Sequence, residues 1–328
     1  QGFGHYLHAL TGAPPLFSAV MLLLVLGVLN LLGIRFSGKL QVGIVFVVLV
    51  VLIGFFVLGL KHVNDSYYRP FAPNGLSGIL EAALVGFLSL VGWDAIVASG
   101  EEVRNPRKTV PFAIFLSITI VLMLYLGLLF VSIGLVPWQE LGVSEIPVAL
   151  VSQQFLGDLG PTVISFIIVM ALPATCNAFI MTISRTAFAM ARNGLLPKAI
   201  ASIHPRFRTP TGAIVLGVGI QIAFTLMSTM NIAVTATGFL YLLTFIFSMF
   251  AFFIARRRGA AKENDNQLFF VPFYPIIPMM ALLICIALLI PIGKTGFLTG
   301  LIWLLIGVGI YLLRMKLLLG NRVNADMN

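Results

Sequence analysis

The stretch of sequence that decides the fold is Leu88-Ser89-Leu90-Val91-Gly92-Trp93-Asp94-Ala95. It lies inside an apolar run of membrane length, yet it contains a glycine and a carboxylate, which both disfavour a continuous buried helix. Non-helical backbone at membrane depth is tolerated where it lines a cavity, and secondary transporters form binding sites at such broken helices. The stretch therefore predicts a helix that unwinds near 91–94, and it favours a transporter.

The composition indicates a polytopic membrane protein. Hydrophobic residues make up 59% of the 328 residues and charged residues only 9%, with a mean hydropathy of +1.06. A soluble domain is typically about 25% charged. The two cysteines, Cys176 and Cys285, lie in apolar runs, which is typical of packed side chains rather than of a disulfide.

Apolar runs long enough to cross a bilayer, about 20 residues each, recur along the chain. They predict an all-α fold with nine transmembrane helices at 15–34, 41–60, 76–99, 111–136, 161–192, 211–229, 233–254, 272–292 and 297–318. The fifth run is longer than the hydrocarbon core requires. We therefore expect its end, around Arg185 and Arg192, to project into the aqueous phase and to stop at Gly194.

The basic residues predict the orientation, because cytoplasmic loops contain an excess of Lys and Arg. If the loop between the first two spans is cytoplasmic, 17 of the 20 Lys and Arg residues fall on that side, leaving Lys61, Arg69 and Lys294 outside. The C-terminus is then cytoplasmic, in a multi-pass protein of the plasma (inner) membrane. The net charge of +9 follows from this topology and from anionic membrane lipid, so no nucleic acid partner is expected.

The break also resembles a known motif. Gly92-Trp93-Asp94, followed by the segment 101–111 (Glu-Glu-Val-Arg-Asn-Pro-Arg-Lys-Thr-Val-Pro), resembles the sixth-helix signature of the amino acid/polyamine/organocation (APC) permease family. The segments 177–197, 204–210 and 29–40 resemble the eighth helix, the loop before the ninth helix and the end of the fourth helix. The resemblance extends over essentially the whole chain.

This resemblance implies that the nine spans are helices four to twelve of a twelve-helix permease with the LeuT fold, an inverted repeat of five plus five helices. The single transmembrane domain 1–328 would then contain the end of the first repeat at 15–60, the second repeat at 76–254, and the last two helices at 272–318. Helices one to three would be missing. Nine spans also do not divide into two equal repeats, so an upstream portion is expected.

The function implied by the resemblance is secondary active amino acid transport by alternating access. The substrate would bind at Val91, Gly92, Trp93 and Asp94, with backbone carbonyls facing its amino group and Trp93 closing over it. Half-helix ends favour such a ligand, since free amides attract a carboxylate and free carbonyls an ammonium. The alternatives are a simple kink in which Trp93 only packs, and an Asp94 that only caps the second half-helix.

Further candidates lie beside the break and in the fifth span. Thr175 and Asn177, next to Pro173, are candidate ion or substrate ligands, and the resemblance places Thr175 where sodium-coupled relatives have a hydroxyl. Hydrogen bonding between helices is the alternative for both residues. The candidate gates are Trp93, Tyr241, Glu101, Glu102, Arg185 and Arg192, with an acid–arginine pair on the inner side. A solvated acid pair is the alternative there, because exposed ion pairs are weak.

No cofactor is expected apart from a coupling ion, H⁺ or Na⁺. Many proton-coupled members of the family have a lysine where this chain has Val48, which argues against a lysine-based proton mechanism and leaves exchange, sodium coupling or another proton site open. The four histidines are scattered, so neither a metal site nor an enzyme activity is expected. Pro106 is expected to end one helical segment and Pro111 to begin the next span.

Three functions remain open at this point. The first is amino acid transport, the second is transport of a polyamine or other organic cation by the same fold, and the third is a non-transporting receptor or scaffold. The break at Gly92 favours transport over the third. The partners expected are a small-molecule substrate, membrane lipid and, through the last two spans, a second copy in a homodimer.

Overall fold

The computed structural model describes residues 1–33, 38–93, 96–97, 103–227, 230–258, 271 and 273–326. These residues form α-helices, turns and loops, and none of them is in a β-strand. The helices are α1 (Gly2–Thr11), α2 (Pro15–Leu31), α3 (Gly38–Leu60), α4 (Gly75–Ser89), α5 (Pro106–Leu135), α6 (Trp138–Val143), α7 (Pro147–Leu156), α8 (Leu159–Arg192), α9 (Thr211–Met227), α10 (Met230–Arg257), α11 (Ile276–Ala287) and α12 (Gly293–Asp326). Short 3₁₀ turns lie at Asp65–Tyr68, Lys198–Ala201 and Ile290–Ile292.

Within the described residues, five stretches are both long and apolar enough to cross a membrane: Gln41–Leu60, Pro106–Leu135, Leu159–Arg192, Ile232–Arg257 and Ile276–Met315. A sixth is added if α1 and α2, which meet at an angle of 116°, form one broken span. The helices α4 and α9 are apolar but shorter, with 15 and 17 residues. This describes a polytopic, all-helical membrane protein; the nine spans and the LeuT fold stay predictions.

The stretch Ile276–Met315 contains two helices. A straight helix of its 40 residues would be about 60 Å long at 1.5 Å per residue, roughly twice the thickness of the hydrocarbon core. The structure interrupts it instead, because α11 ends at Ala287 and α12 begins at Gly293 after a 3₁₀ turn. The sequence predicts two spans in this region, at 272–292 and 297–318.

The long helices expose large apolar side chains over much of their surface. On α3 and α5 these include Phe46, Ile53, Phe112, Phe115 and Met123, each at least half exposed. A soluble monomer rarely exposes apolar surface on this scale. The exposed faces are those of an integral membrane protein, in which lipid rather than water contacts the helices.

The chain forms two compact units. The first comprises residues 1–70, 123–228 and 308–328, and α8 is at its centre, in contact with α1, α2, α3, α7 and α9. One buried cluster includes Tyr6, Phe55, Val131 and Ile164. A second cluster joins α2, α8 and α9 through Leu26, Ile180, Ile214 and Val218.

The C-terminal end of α8 is closed by a turn that the sequence predicted. The helix ends at Arg192, and Gly194 has a positive φ of 78°. The amide of Leu195 donates to the carbonyl of Met190 at 2.9 Å, which is the long-range bond of a Schellman motif. Arg314 of α12 adds a further contact, since its Nε donates to the carbonyl oxygen of Gly194 at 3.3 Å.

The second unit comprises residues 71–122 and 229–307. Its core is formed by α4, α10, α11 and the turn Ile290–Ile292, with Leu84, Phe239, Leu242, Leu288 and Ile292 buried. Leu242 is completely inaccessible to solvent. This unit contains α4, whose C-terminal end is the predicted break.

The start of α5 differs from the prediction. Pro106 does not end the preceding segment but is the first residue of α5, and Pro111 lies inside the helix. The preceding Asn105 has a φ of 52°, and its carbonyl accepts hydrogen bonds from the amides of Lys108 and Thr109 at 3.1 and 3.0 Å. A proline at the first helical position lacks only an amide that would have no intrahelical partner.

Candidate functional site

The backbone leaves the helix within the stretch that the sequence predicted to unwind. The helix α4 ends at Ser89, and the amides of Leu90 and Val91 donate to the carbonyls of Phe87 and Leu88, both at 3.2 Å. These bonds span three residues instead of four, which tightens the last turn. Gly92 follows with a φ of 135°, so the chain direction changes at this residue.

A helical turn resumes directly after the break. The carbonyl of Trp93 accepts hydrogen bonds from the amides of Ile96 and Val97 at 2.9 and 3.2 Å. No described backbone amide donates to the carbonyls of Leu90, Val91 or Gly92. Asp94, the carboxylate predicted for this segment, lies outside the described residues.

Gly92 is required at this position by its backbone conformation and not by a lack of space. A φ of 135° is rarely adopted by residues with a side chain, and a Cβ at this position would have no neighbouring atom within 4 Å. Residues held in such regions cost about 1–3 kcal/mol unless they are glycine. Replacement of Gly92 is therefore expected to change the conformation of the break without creating a clash.

Three aromatic rings lie together beside the break. The ring centroids of Trp93 and Phe245 are 5.5 Å apart at an interplanar angle of 48°, and those of Phe245 and Phe87 are 5.5 Å apart at 75°. Phe245 belongs to α10 and Phe87 to α4, so this aromatic cluster (Phe87, Trp93 and Phe245) fixes the position of Trp93. Tyr241, a predicted gate, lies one turn before Phe245 on the same face of α10.

The sequence analysis missed Phe245 and Phe87. One signal was present, because Tyr241 and Phe245 are four residues apart in a predicted span and therefore share a helix face. Nothing local in the sequence indicates that this face meets Trp93. The contact between α4 and α10 arises from tertiary packing, which the sequence pattern does not indicate.

The candidate ligands Thr175 and Asn177 lie on α8 in the first unit. Asn177 contacts a neighbouring helix there. Its side chain is 7% exposed. Asn30 of α2 donates from Nδ2 to Asn177 Oδ1 at 2.6 Å and to the carbonyl of Leu26 at 2.8 Å. The Nδ2 atom of Asn177 lies 3.7 Å from Met181 Sδ. This is the geometry of the alternative given for Asn177, a hydrogen bond between membrane helices.

Thr175 lies in a different setting, at the edge of an apolar cavity. The cavity has a volume of about 190 Å³, and Val48, Phe55 and Ile168 also line it. Thr175 is the one polar side chain among the described residues that line this cavity. A cation there would meet one hydroxyl and hydrocarbon side chains, which does not compensate for loss of hydration.

Arg185 and Arg192, the predicted inner-gate cations, are both exposed on α8. They are seven residues apart, about 10.5 Å along the helix axis, and so lie on the same face. The acids predicted to pair with them, Glu101 and Glu102, lie outside the described residues. Among the residues that are described, no group of three or more metal-ligating side chains is present.

Comparison with known proteins agrees with the resemblance. The chain matches the amino acid permease family over residues 8–312. It is 28% identical over 325 residues to a methylthioribose transporter of Bacillus subtilis, a match that covers 94% of this chain and 68% of that protein. It is 28% identical over 331 residues to a branched-chain amino acid permease of the same organism, with 95% and 69% covered.

A third relative, a serine/threonine exchanger of Bacillus subtilis, is 25% identical over 270 residues, with 80% of this chain and 60% of the exchanger covered. The matches thus span between three fifths and seven tenths of the length of these relatives. The family match, in contrast, includes nearly every helix described above. The chain belongs to the amino acid permease family of the APC superfamily, whose members are membrane transporters and not enzymes.

Proposed function

We propose that this protein is a secondary active amino acid transporter that works by alternating access, with the substrate bound at Val91, Gly92, Trp93 and Asp94, where the chain leaves α4. The observation that supports this most directly is the conformation of Gly92, whose φ of 135° interrupts an apolar helix. Such irregular backbone is found in membranes where it lines a cavity. A transporter needs irregular backbone of this kind to bind its substrate, whereas a scaffold does not.

The chemistry of the segment suits a zwitterion. The carbonyls of Leu90, Val91 and Gly92 accept no hydrogen bond from a described amide, and carbonyls at a helix C-terminus attract an ammonium group. Asp94 is proposed to contact the substrate or to hold the second half of the helix in place. The aromatic cluster of Phe87, Trp93 and Phe245 supplies apolar surface beside these polar groups.

The substrate class that fits best is a neutral amino acid with an apolar side chain. The named relatives include a branched-chain amino acid permease and a serine/threonine exchanger, and aromatic rings pack well against aliphatic groups. The methylthioribose transporter among the relatives makes that thioether sugar a second candidate, since sulfur also contacts aromatic rings favourably. A polyamine would require more negative charge than Asp94 alone provides.

The remaining parts of the mechanism are proposed on the resemblance. Trp93 and Tyr241 close the outer side of the site, and Glu101 or Glu102 pairs with Arg185 or Arg192 on the inner side. The coupling ion, if one is used, is H⁺ or Na⁺. The protein lies in the plasma membrane with a cytoplasmic C-terminus, as its Lys and Arg distribution predicts.

The experiment that tests this function compares Gly92, at the break, with Gly86, inside α4. Gly86 lies in the last turn of α4, and a Cβ there, as at Gly92, would meet nothing within 4 Å. Only Gly92 has a positive φ. Uptake of labelled branched-chain amino acids, serine, arginine, putrescine and methylthioribose is measured in proteoliposomes containing the full-length protein as wild type, Gly92→Ala or Gly86→Ala.

We expect saturable uptake of a neutral amino acid that falls at least about tenfold in Gly92→Ala, because about 1.4 kcal/mol of strain in the site corresponds to that factor. Gly86→Ala should transport like the wild type, since alanine is the better helix former. Equal loss or equal retention in both variants would contradict the role of the break. Substrate binding without any uptake would favour the receptor instead.

A further inference from the structure

His204 lies in the loop between the turn Lys198–Ala201 and α9, in the first unit, and its imidazole is part of the hydrogen bonding of this loop. The ring atom Nδ1 accepts hydrogen bonds from the backbone amides of Arg206 and Phe207, both at 3.2 Å. An asparagine or aspartate oxygen usually accepts such bonds from amides that follow it closely in the chain. A histidine can replace that oxygen only while Nδ1 is unprotonated, because both ring nitrogens of an imidazolium are donors.

The other three histidines make contacts that protonation leaves intact. The Nδ1 atoms of His8 and His62 lie 2.9 and 3.2 Å from backbone carbonyl oxygens. A carbonyl only accepts, so each of these nitrogens is a donor and stays a donor in the imidazolium. The Nε2 atom of His5 lies 3.7 Å from a carboxylate oxygen of Glu145, and a positive charge on the ring strengthens that attraction. Of the four histidines, His204 is the one whose described hydrogen bonds are broken by protonation.

The loop connects the ends of two apolar helices. The amide of His204 donates to the carbonyl of Thr209 at 2.8 Å, and the amide of Arg208 donates to the carbonyl of His204 at 2.9 Å. The hydroxyl of Thr209 donates to the carbonyl of Leu31 at 2.8 Å, at the end of α2. Two residues later, α9 begins at Thr211. The loop therefore joins α2 to α9 as long as its own hydrogen bonds keep this shape.

The backbone of Arg208 depends on these hydrogen bonds. Its φ is 52°, a left-handed value that few residues other than glycine, asparagine and aspartate adopt. A strained residue persists only where its surroundings hold it. The Nδ1 atom of His204 accepts two of the four hydrogen bonds that the structure describes for the amides of residues 204–208. Loss of this acceptor therefore leaves half of these bonds to hold an unfavourable conformation.

The charged side chains that the structure describes around the loop and the end of α8 are cations: Arg185, Arg192, Lys198, Arg206, Arg208 and Arg314. The described acidic side chains belong to other parts of the chain: Asp65, Glu81, Glu140, Glu145 and Asp158. Glu101 and Glu102, which the proposed function pairs with an arginine of α8, lie outside the described residues. Arginine and lysine stay protonated between pH 5 and 8, whereas histidine changes its charge in this range. Among the described side chains around the loop, His204 is therefore the group that responds to pH.

From these observations we propose that His204 is a pH-sensitive clasp on the side of the membrane that the Lys and Arg distribution predicts to be cytoplasmic. While the imidazole is neutral, the loop 204–209 is closed and joins α2 to α9. In acid, a proton binds at Nδ1, which becomes a donor, and the amides of Arg206 and Phe207 lose their acceptor. The loop then opens, and the hydroxyl of Thr209 no longer holds the end of α2. The proposal is independent of the transport function, so its test does not require uptake.

A simpler role for His204 is ring packing. Its ring centroid lies 4.7 Å from that of Phe207, at an interplanar angle of 33°, and the guanidinium carbon of Arg206 lies 5.7 Å from the same Phe207 ring centroid. If these contacts alone held the loop, the protonation state of Nδ1 would not matter. The two roles differ in one measurable respect, because only the clasp predicts that acid exposes the amides of Arg206 and Phe207 to exchange.

The test measures hydrogen–deuterium exchange of the full-length protein in lipid nanodiscs, in the peptide that contains residues 203–209. Exchange is compared at about pH 8 and about pH 5.5, which bracket the titration of histidine, after correction for the intrinsic pH dependence of amide exchange. His204→Asn supplies an acceptor oxygen that does not titrate. His204→Phe keeps an aromatic ring and removes the acceptor. The matched control is His62→Asn, which replaces a histidine whose Nδ1 contacts a carbonyl oxygen.

We expect the amides of Arg206 and Phe207 in the wild type to exchange at least about tenfold faster at the lower pH, since each loses a hydrogen bond. His204→Asn should stay protected at both pH values, and His204→Phe should exchange fast at both. His62→Asn should behave like the wild type. Equal protection of the wild type at the two pH values would overturn the proposal, and so would a pH response that persists in His204→Asn. Because His204 lies in a partly exposed loop, its variants are expected to fold, and unchanged exchange of α8 in each variant checks this.

Discussion

Asn30 and Asn177, which are 147 residues apart in the sequence, are joined side chain to side chain by a hydrogen bond of 2.6 Å. The bond connects α2 to α8, the helix that contacts most elements of the first unit. Amides in an apolar environment are costly to leave unpaired. The pair therefore specifies how these two helices face each other.

Replacing one member of this pair should destabilise the protein more than replacing both. Asn30→Leu or Asn177→Leu leaves the other amide without this partner, which costs about 1–3 kcal/mol. The double variant should recover part of this loss, with a coupling of about 0.6–1.7 kcal/mol as found between membrane helices. Denaturation of all four proteins in a double-mutant cycle measures the coupling. Thr186→Val, at an exposed position of α8, is the control and should change little; additive losses would contradict the pairing.

Two glycines of α9 should differ sharply in their tolerance of alanine. A Cβ on Gly212 would overlap the carbonyl oxygen of Ala199 and lie 2.8 Å from Ile200 Cα, whereas a Cβ on Gly219 would meet nothing within 4 Å. Gly212→Ala is expected to destabilise by about 1–3 kcal/mol through overpacking. Gly219→Ala should be neutral or stabilising by up to about 1 kcal/mol. Melting temperatures of both variants check this, and equal values would contradict the close approach of Gly212 to the turn Lys198–Ala201.

Phe245→Leu should loosen Trp93. The substitution removes two ring contacts, to Trp93 and to Phe87, each worth about 0.5–1.5 kcal/mol. We expect a higher KM for uptake and a red-shifted emission of Trp93, measured in a background of Trp138→Phe and Trp303→Phe. Phe247→Leu, at a position that is 63% exposed, is the control and should alter neither quantity. An unchanged Trp93 emission in Phe245→Leu would contradict the ring contact.

A lysine at position 48 should make stability dependent on pH. Val48 and Thr175 border the same apolar cavity of about 190 Å³, and burying an ammonium group there costs more than burying the neutral amine. The melting temperature of Val48→Lys should therefore rise with pH relative to that of Val48→Met, which has a similar length and no charge. Parallel pH profiles for the two variants would show that the side chain at position 48 reaches water.

The long helices were predictable because each consists of one continuous apolar run. The runs predicted at 41–60 and 161–192 correspond to α3 (Gly38–Leu60) and α8 (Leu159–Arg192). The short helices α1, α6 and α7 were not predicted, because segments of six to ten residues with mixed polarity show no periodicity that distinguishes them from loops. The start of α5 was wrong because a proline is compatible both with a helix end and with a first helical residue.

The break after α4 was predictable because one residue determines its conformation. Gly92 indicated the break because few other residues adopt its backbone geometry. The partners of Trp93 and Asn177 were not predictable, since Phe245 and Asn30 are distant in the sequence and meet them only through helix packing.

The hydrogen bond from Arg314 to the carbonyl of Gly194 has a consequence for how this protein can be shortened. The resemblance implies that the last helix follows the two repeats and lies outside them, but Arg314 of this helix donates a hydrogen bond at the end of α8. A chain truncated before residue 314 loses this hydrogen bond, which is worth about 0.5–1.5 kcal/mol, at the helix on which much of the first unit is assembled. The smallest stable version of the protein should therefore retain α12 through Arg314.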